Sequence, residues 1–261
     1  MSKALSAALG AKSSALVVVE VEDECVTSTG DLESGLPGDL IDVVLDAYEE
    51  SKSDPSGPWY RCEIAFTRSG GFSFRYFWLA DALANIEAVP PGSVGGLPAV
   101  LLRSRFDDKV LCRLDDYQIA DALISFVPAS IDRGDKVNAR LVQLYAVSDW
   151  QGDSNNGSLN QYFSRSRDPY GGLDRELLYD STLRGLELIG FRKAADHFRE
   201  AIAAYAHLYD RVENARRRLG IEPLADAKAS QVVDEYWDVE AQLTQFLAAY
   251  VRSHINELSV G

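Results

Sequence analysis

Hydrophobic residues in part of the first half of the chain recur at every second position. In residues 59–67 apolar positions alternate with more polar ones, and the alternation returns in residues 72–78, where one face is aromatic. Gly70 and Gly71 lie between the two segments. A period of two on either side of a glycine-containing loop predicts a β-hairpin with one buried face.

The residues before this hairpin predict a strand, a loop and a helix. Residues 15–21 form a β-branched apolar run typical of a strand, and residues 27–38 have the composition of a loop. Residues 40–50 place apolar side chains at helical spacing, with acids on the opposite face. We therefore expect an acidic amphipathic helix that ends before Pro55.

After the hairpin, the apolar runs at residues 99–106 and 110–114 predict two further short strands. Residues 116–126 return to helical spacing. Together these elements predict a small α+β domain with an antiparallel hairpin sheet over residues 12–130.

The second half of the chain has a hydrophobic period close to 3.6. Residues 194–218 predict one long helix, Gly190 is expected to cap the helix before it, and a last helix is predicted over residues 227–255. A series of helices without a strand predicts an all-α bundle at residues 135–258. The predicted fold class is therefore α+β, with the α+β domain first and the helical bundle second.

Acidic residues are concentrated at the front of the chain. The 261 residues carry a formal net charge of -14, and residues 1–50 hold eleven acids against two lysines. A field of this sign repels nucleic acid and anionic membranes and speeds encounter with basic proteins. We therefore expect no direct nucleic-acid or membrane partner. A solubilising surface is the simpler interpretation of the charge, and a surface that meets a basic protein partner is the second interpretation. The candidate partner-binding acids of the first half are Asp42, Asp46, Glu49 and Glu50.

Residues suited to catalysis or metal binding are few. The three histidines, His197, His207 and His254, lack metal-ligand spacing, and the three cysteines are far apart. No glycine pair fits a nucleotide-binding loop. The sequence thus predicts no catalytic residue, no cofactor and no metal.

The expected location is the cytoplasm, because no apolar run is long enough to cross a bilayer and no secretory signal is evident. The expected oligomeric state is a monomer or a homodimer.

Residues 155–163 begin as a run of polar side chains and end with the aromatic pair Tyr162 and Phe163. Two interpretations of this run remain open. In the first, Asn and Ser side chains cap backbone N–H groups at a helix start while Gln161 holds the loop. In the second, the same amides form a recognition loop. The candidate residues are Asn155, Asn156, Gly157 and Gln161.

The same run carries a family resemblance. Within residues 155–163, the motif Asn-Asn-Gly is followed by Gln-Tyr-Phe. Further along the chain come the motif Leu-Glu-Leu-Ile-Gly at residues 186–190 and an alanine-rich predicted helix at residues 201–206. In this order and spacing, residues 135–257 resemble a family of bacterial domains of unknown function named after a DNA-mimic protein. The resemblance implies an all-helical domain without known enzymatic activity, of which one member presents carboxylates in place of DNA phosphates.

Four acids near the end of the chain could act in that way. They lie on the last predicted helix, and a solvated helix face is the simpler interpretation of them. These acids are Asp234, Glu235, Asp238 and Glu240.

The first half carries a second resemblance. Trp59, Tyr60 and Arg61 begin a strand, and the Gly70-Gly71 turn leads into the aromatic strand at residues 72–78. With these features residues 40–127 are similar to the YezG-like immunity proteins, which neutralise bacterial toxins.

Two functional hypotheses follow. The first is a non-enzymatic acidic protein-binding module, either an immunity or inhibitor protein for a toxin or a DNA mimic for a nucleic-acid-binding protein. The second is an enzyme or small-ligand-binding protein with an unrecognised site at the domain junction, where pockets tend to form.

Overall fold

The computed structural model describes residues 9, 12–22, 25–32, 36–67, 69, 71–92, 96–165, 175–224 and 231–258. The chain divides into two compact units, Met1–Arg105 and Phe106–Gly261. Among the described residues, the first unit contains a four-stranded antiparallel sheet with helices, and the second is helical throughout. The protein is therefore α+β, as its sequence predicts.

The sheet of the first unit has the strand order β2-β1-β3-β4, so β4 forms one edge. The central strand β1 (Ser14–Glu22) pairs antiparallel with β2 (Cys25–Gly30) and with β3 (Trp59–Thr67). The edge strand β4 (Phe72–Trp78) pairs with β3 and completes the predicted hairpin.

The strand β2 corrects the interpretation of residues 27–38 as a loop. Thr27, Ser28 and Thr29 show no apolar alternation, yet each lies opposite a residue of β1 in the ladder. The strand ends at Gly30, which has φ 143°, and a Cβ there would overlap the Leu16 carbonyl. Pairing with β1, rather than a hydrophobic pattern, therefore makes this segment a strand.

The predicted acidic helix is α1 (Gly38–Ser51), and it covers the buried face of the sheet. Leu40 and Val44 on its apolar side belong to the same core as the central strands. The indole Nε1 of Trp59 donates to the Ala47 carbonyl at 3.3 Å and so ties β3 to α1. The opposite side of α1 faces solvent.

Over the described residues that follow the sheet there are three short α-helices, namely α2 (Leu79–Ala84), α3 (Ala99–Ser104) and α4 (Asp108–Leu111). The strands predicted over residues 99–106 and 110–114 are therefore wrong. A short apolar run fits a buried strand or a buried helix equally well by periodicity alone.

Local capping residues favour the helical alternative in both segments. Pro98 precedes α3 with φ -56°, and its carbonyl accepts the first hydrogen bonds of that helix. The Asp107 carboxylate accepts from the Val110 N–H at 3.1 Å at the start of α4.

Six longer helices build the second unit in the part of it that the structure describes. The helix predicted at residues 116–126 begins with a capping box formed by Asp115 and Gln118, and it packs against neighbours of the second unit. The predicted boundaries had assigned it to the first domain. The helices are α5 (Asp116–Asp132), α6 (Ala139–Ser164), α7 (Arg175–Leu188), α8 (Arg192–Tyr205), α9 (Asp210–Arg218) and α10 (Gln231–His254).

The single helix predicted over residues 194–218 is divided into α8 and α9, so that prediction is wrong. Tyr209 adopts an extended conformation in the break, and its hydroxyl donates to Asn160 Oδ1 at 2.8 Å. The Arg211 guanidinium donates to the Phe163 carbonyl at 3.2 Å. Both residues at the break thus bond to the end of α6.

The predicted cap at Gly190 is confirmed. Gly190, with φ 75°, follows α7 as the predicted cap, and its N–H donates to the Glu187 carbonyl. The start of the last predicted helix, at residues 227–230, lies outside the described residues. Trp150, Phe163 and Phe198 are fully buried at the centre of the unit.

Candidate functional site

The exposed side of α1 carries a row of carboxylates. Asp39, Asp42, Asp46 and Glu50, which we call the acidic stripe, are all exposed and are spaced three or four residues apart. On an α-helix this spacing places them on one side, about 4.5 to 6 Å apart along the axis. Three of the four were predicted, and Asp39 was missed although it lies three residues before Asp42 and on the same side of the helix.

The acidic stripe has no counter-charge among the described residues. No Lys, Arg or His nitrogen of the described chain lies within 4.0 Å of any of its four carboxylates. The fifth acid, the predicted Glu49, differs because it pairs with Lys52 at 2.6 Å. The stripe therefore presents uncompensated negative charge to solvent.

The position of Glu50 is unfavourable for the helix that carries it. Glu50 lies in the last turn of α1, where the carbonyl ends of the helix dipole are negative, and no basic residue belongs to that turn. A carboxylate there costs about 0.3 to 1 kcal/mol relative to a favourable charge. Glu50 therefore gains nothing from the dipole of α1.

Three of the four candidate acids of α10 form a second exposed group. Asp234, Glu235 and Asp238, which we call the α10 patch, are exposed and have no ion-pair partner within 4.0 Å among the described residues. Trp237, which is 54% exposed, lies between them in sequence. The α10 patch thus combines carboxylates with one accessible aromatic ring.

The fourth acid, Glu240, has a different environment. Its Oε1 accepts from Gln151 Nε2 at 3.0 Å and from Asn155 Nδ2 at 3.1 Å. The hydroxyl of Tyr236 in turn donates to Asn155 Oδ1 at 2.7 Å. The structure therefore brings the candidates Asn155 and Glu240 together in a network that joins α6 to α10.

The remaining candidates of the polar run lie at a kink within α6. Gly157 and Ser158 leave the helical conformation, and Ser158 has φ 74°. The Gln161 side chain folds against Gly157 so closely that a Cβ at Gly157 would overlap it. Asn156 is exposed, whereas the apolar residues that follow the kink are buried.

The polar run has features of both interpretations, the helix start and the recognition loop. Leu159, Tyr162 and Phe163 are buried, as the helix-start interpretation requires. The Asn155 amide, however, bonds to α10 rather than to a backbone N–H. Asn156, Gly157 and the kink itself face solvent and remain available to a partner.

Two reactive side chains of the described chain, His197 and Cys62, are buried. His197 is buried, and because its Nε2 lies 2.8 Å from the Val232 carbonyl, which can only accept, Nε2 carries the proton. Burial lowers the pKa of His197 and raises the pKa of Cys62 to about 12. Within the described residues no group of three or more His, Cys, Asp or Glu could hold a metal ion.

The surface grooves of the described chain include three that lie apart from the acidic stripe and the α10 patch. One of about 240 Å³ lies beside β4 and α2, and two of about 380 Å³ each lie between α6 and α7 and beside the start of α8. The last contains Arg199, which pairs with Glu187 and Asp196. None of these three grooves is lined by His197 or Asn156.

The fold and this surface define a class of protein: an acidic α+β protein that exposes unpaired carboxylates on two helices. Residues 135–254 match the family model described as DMP19-like protein. This match agrees with the resemblance of the second half. No curated protein and no solved structure matches the chain.

The match does not extend to the first half, so the YezG-like resemblance of residues 40–127 stays a prediction. Among the described residues, no helix combines the length and the apolarity needed to cross a membrane.

Proposed function

We propose that this protein is a non-enzymatic acidic binding module whose partner is a basic protein. The acidic stripe is the observation that carries the proposal. Its four exposed carboxylates lack counter-charges among the described residues, and Glu50 is retained at the end of α1 where it opposes the helix dipole. Uncompensated charge of this kind accelerates and orients encounter with a partner of opposite sign.

The partner we favour is a nucleic-acid-binding protein. The DMP19-like match of residues 135–254 supports this choice, because the family takes its name from a DNA mimic. The α10 patch lies in the matched segment and offers three unpaired carboxylates as substitutes for phosphates. Phosphate-binding surfaces on such partners are rich in Arg and Lys, which these carboxylates would neutralise.

A toxin is the second partner class, and the YezG-like resemblance of the first half motivates it. An immunity protein would use the acidic stripe of the first unit, whereas a DNA mimic would use the α10 patch. Two observations therefore distinguish the roles. A toxin that is lost when the acidic stripe is changed indicates an immunity protein, and a nucleic-acid-binding protein that is lost when the α10 patch is changed indicates a DNA mimic.

The experiment is capture of partners from an extract of the native host at about 50 mM and about 300 mM salt, with identification by mass spectrometry. The stripe variant carries D39N, D42N, D46N and E50Q. The patch variant carries D234N, E235Q and D238N. The matched control removes four exposed charges elsewhere through E87Q, D108N, D132N and E222Q.

The proposal predicts an identified basic protein that is retained at low salt, released at high salt, and lost by the stripe or the patch variant but not by the control. A partner that all three variants retain equally would contradict it. The alternative, an enzyme or ligand-binding protein with a site at the domain junction, stays a prediction from the sequence.

A further inference from the structure

The outer edge of β4 is free to pair with another strand. β4 is the last strand of the sheet, and its ladder partner is β3 on one side only. Among the described residues, no hydrogen bond reaches the other edge of Phe72–Trp78. A row of free N–H and C=O groups on an edge strand is a template for strand addition.

One face of this edge strand is an exposed aromatic ladder, formed by Phe72, Phe74 and Tyr76. These residues are 51%, 37% and 38% exposed, and their ring centroids follow one another at 5.4 Å and 6.1 Å. Proteins usually protect an edge strand with Pro, Lys or a covering element. β4 contains no Pro and no Lys, and its apolar face stays accessible.

The aromatic ladder adjoins the end of α1 that carries Glu49 and Glu50. The rings of Tyr48 and Trp59 meet edge to face at 5.5 Å, and Trp59 lies 5.4 Å from Tyr76. In the register, the ladder residues lie opposite Cys62, Ile64 and Phe66, which point to the side of the sheet that α1 covers. The aromatic ladder thus lies near the end of α1 that carries the unpaired Glu50.

A second copy of the chain fits this edge poorly. The exposed parts of the three rings amount to about 250 Å² per copy, or about 500 Å² for two, whereas stable interfaces bury at least about 1,200 Å². Residues 1–105 also hold fifteen acids and eight bases, so two such units repel one another. Charge therefore favours a cationic occupant.

The first unit already stacks cations on its rings. Arg75 lies 4.9 Å from the centroid of Phe77, on the opposite face of β4, and Lys52 lies 5.1 Å from the centroid of Tyr48. Arginine side chains placed over the ladder would gain the same cation–π attraction and would bring their charge near the end of α1.

We propose that an extended, arginine-containing segment of the basic partner adds to β4 as a fifth strand, with arginines over Phe72, Phe74 and Tyr76. This inference rests on the proposed function, because it specifies how the first unit would hold that partner. Main-chain hydrogen bonds to β4 would supply affinity, and the alternation of side chains would select arginine at every second position.

The test uses the full chain and fluorescence anisotropy at about 150 mM salt. The probe is a blocked peptide of about ten residues in which Arg and Thr alternate. Two further probes carry N-methyl groups on all Arg amides or on all Thr amides. Successive residues direct their N–H groups to opposite edges of a strand, so strand addition predicts that one methylated probe loses binding while the other retains it.

The protein variants locate the binding surface. F72S with F74S is expected to raise the dissociation constant about tenfold, through loss of two cation–π contacts. The matched control, Y117S with L208S, changes two exposed apolar residues of the second unit and is expected to leave the constant unchanged. Circular dichroism of each variant confirms that it is folded.

Several results would overturn the inference. Equal binding of all three probes, absence of binding, or an unaffected F72S/F74S variant would each contradict strand addition. A dimer of the chain alone, dissociated by F72S/F74S in sedimentation, would assign the edge to a second copy. If the host partner is lost by the stripe variant but kept by F72S/F74S, the proposed function stands and this inference fails.

Discussion

His197 shows how a single side chain is fixed by burial. Its Nε2–H donates to the Val232 carbonyl, and Nδ1 is buried without a hydrogen-bond partner. Burial lowers the pKa, and nearby Lys193 acts in the same direction, while the Val232 hydrogen bond and the charges of Glu235 and Glu200 oppose the shift. Protonation would add a donor that has no acceptor in the folded chain.

The lowered pKa predicts a loss of stability in mild acid. An unfolded His takes up a proton near pH 6.5, whereas folded His197 resists it until a lower pH. The unfolded state then binds more protons, so the free energy of unfolding falls as the pH drops below about 6.5. Urea unfolding at about pH 7.5 and about pH 5 measures this loss, which should be smaller in H197Q. Equal losses in both proteins would contradict the assignment.

The cysteines give a second test at the residue scale. Cys62 is buried, and its pKa is raised to about 12, while Cys112 is exposed. Because the thiolate is the reactive form, Cys62 should be inert in the folded protein. In a C25S background, a thiol reagent should modify one cysteine per folded chain, and C112S should abolish that reaction. Rapid modification in the C25S/C112S protein would show that Cys62 is accessible.

At the scale of elements, the close crossing of α6 and α7 depends on a glycine. A Cβ at Gly185 would overlap the Gln143 carbonyl oxygen and would approach the Val147 side chain. Because a carbonyl in a packed helix cannot move aside, only glycine allows the two helices to approach this closely.

The G185A variant should therefore lose about 1 to 3 kcal/mol of stability through overpacking. The matched control is G152A in α6, where the nearest atom to a new Cβ is Ile124 Cδ1 at 3.7 Å. That variant should gain up to about 1 kcal/mol from helix propensity. Chemical denaturation of both variants measures the difference, and a G185A protein as stable as G152A would contradict the close approach.

Local patterns predicted some elements and not others. The hairpin and α1 were predictable because their periods of 2 and 3.6 extend over several residues. The run at residues 99–106 was too short to separate strand from helix. The break between α8 and α9 coincides with contacts of Tyr209 and Arg211 with α6, which no local pattern contains.

The same limit applies to the candidate site. The acidic stripe could be predicted because its spacing lies within one helix. The different environment of Glu240 could not be predicted, because its partners Gln151 and Asn155 lie 89 and 85 residues away. The aromatic ladder was visible in the sequence, but its exposure depends on the position of β4 at the sheet edge.

For the whole molecule, the distribution of charge matters more than its total of -14. Each unit carries its own group of unpaired carboxylates, the acidic stripe in the first and the α10 patch in the second. Exposed charges act over about 10 Å at moderate ionic strength, so binding through them must weaken as salt is added.

The most direct test of this account is the dissociation constant for the basic partner recovered from host extract, measured at about 50 mM and about 300 mM salt. The measurement compares the unmodified protein with the stripe, patch and matched control variants. We predict that salt weakens binding about tenfold or more, and that the stripe or the patch variant, but not the control, loses most of this salt dependence. A constant that is insensitive to salt, or an equal loss in all variants, would contradict recognition through the unpaired carboxylates.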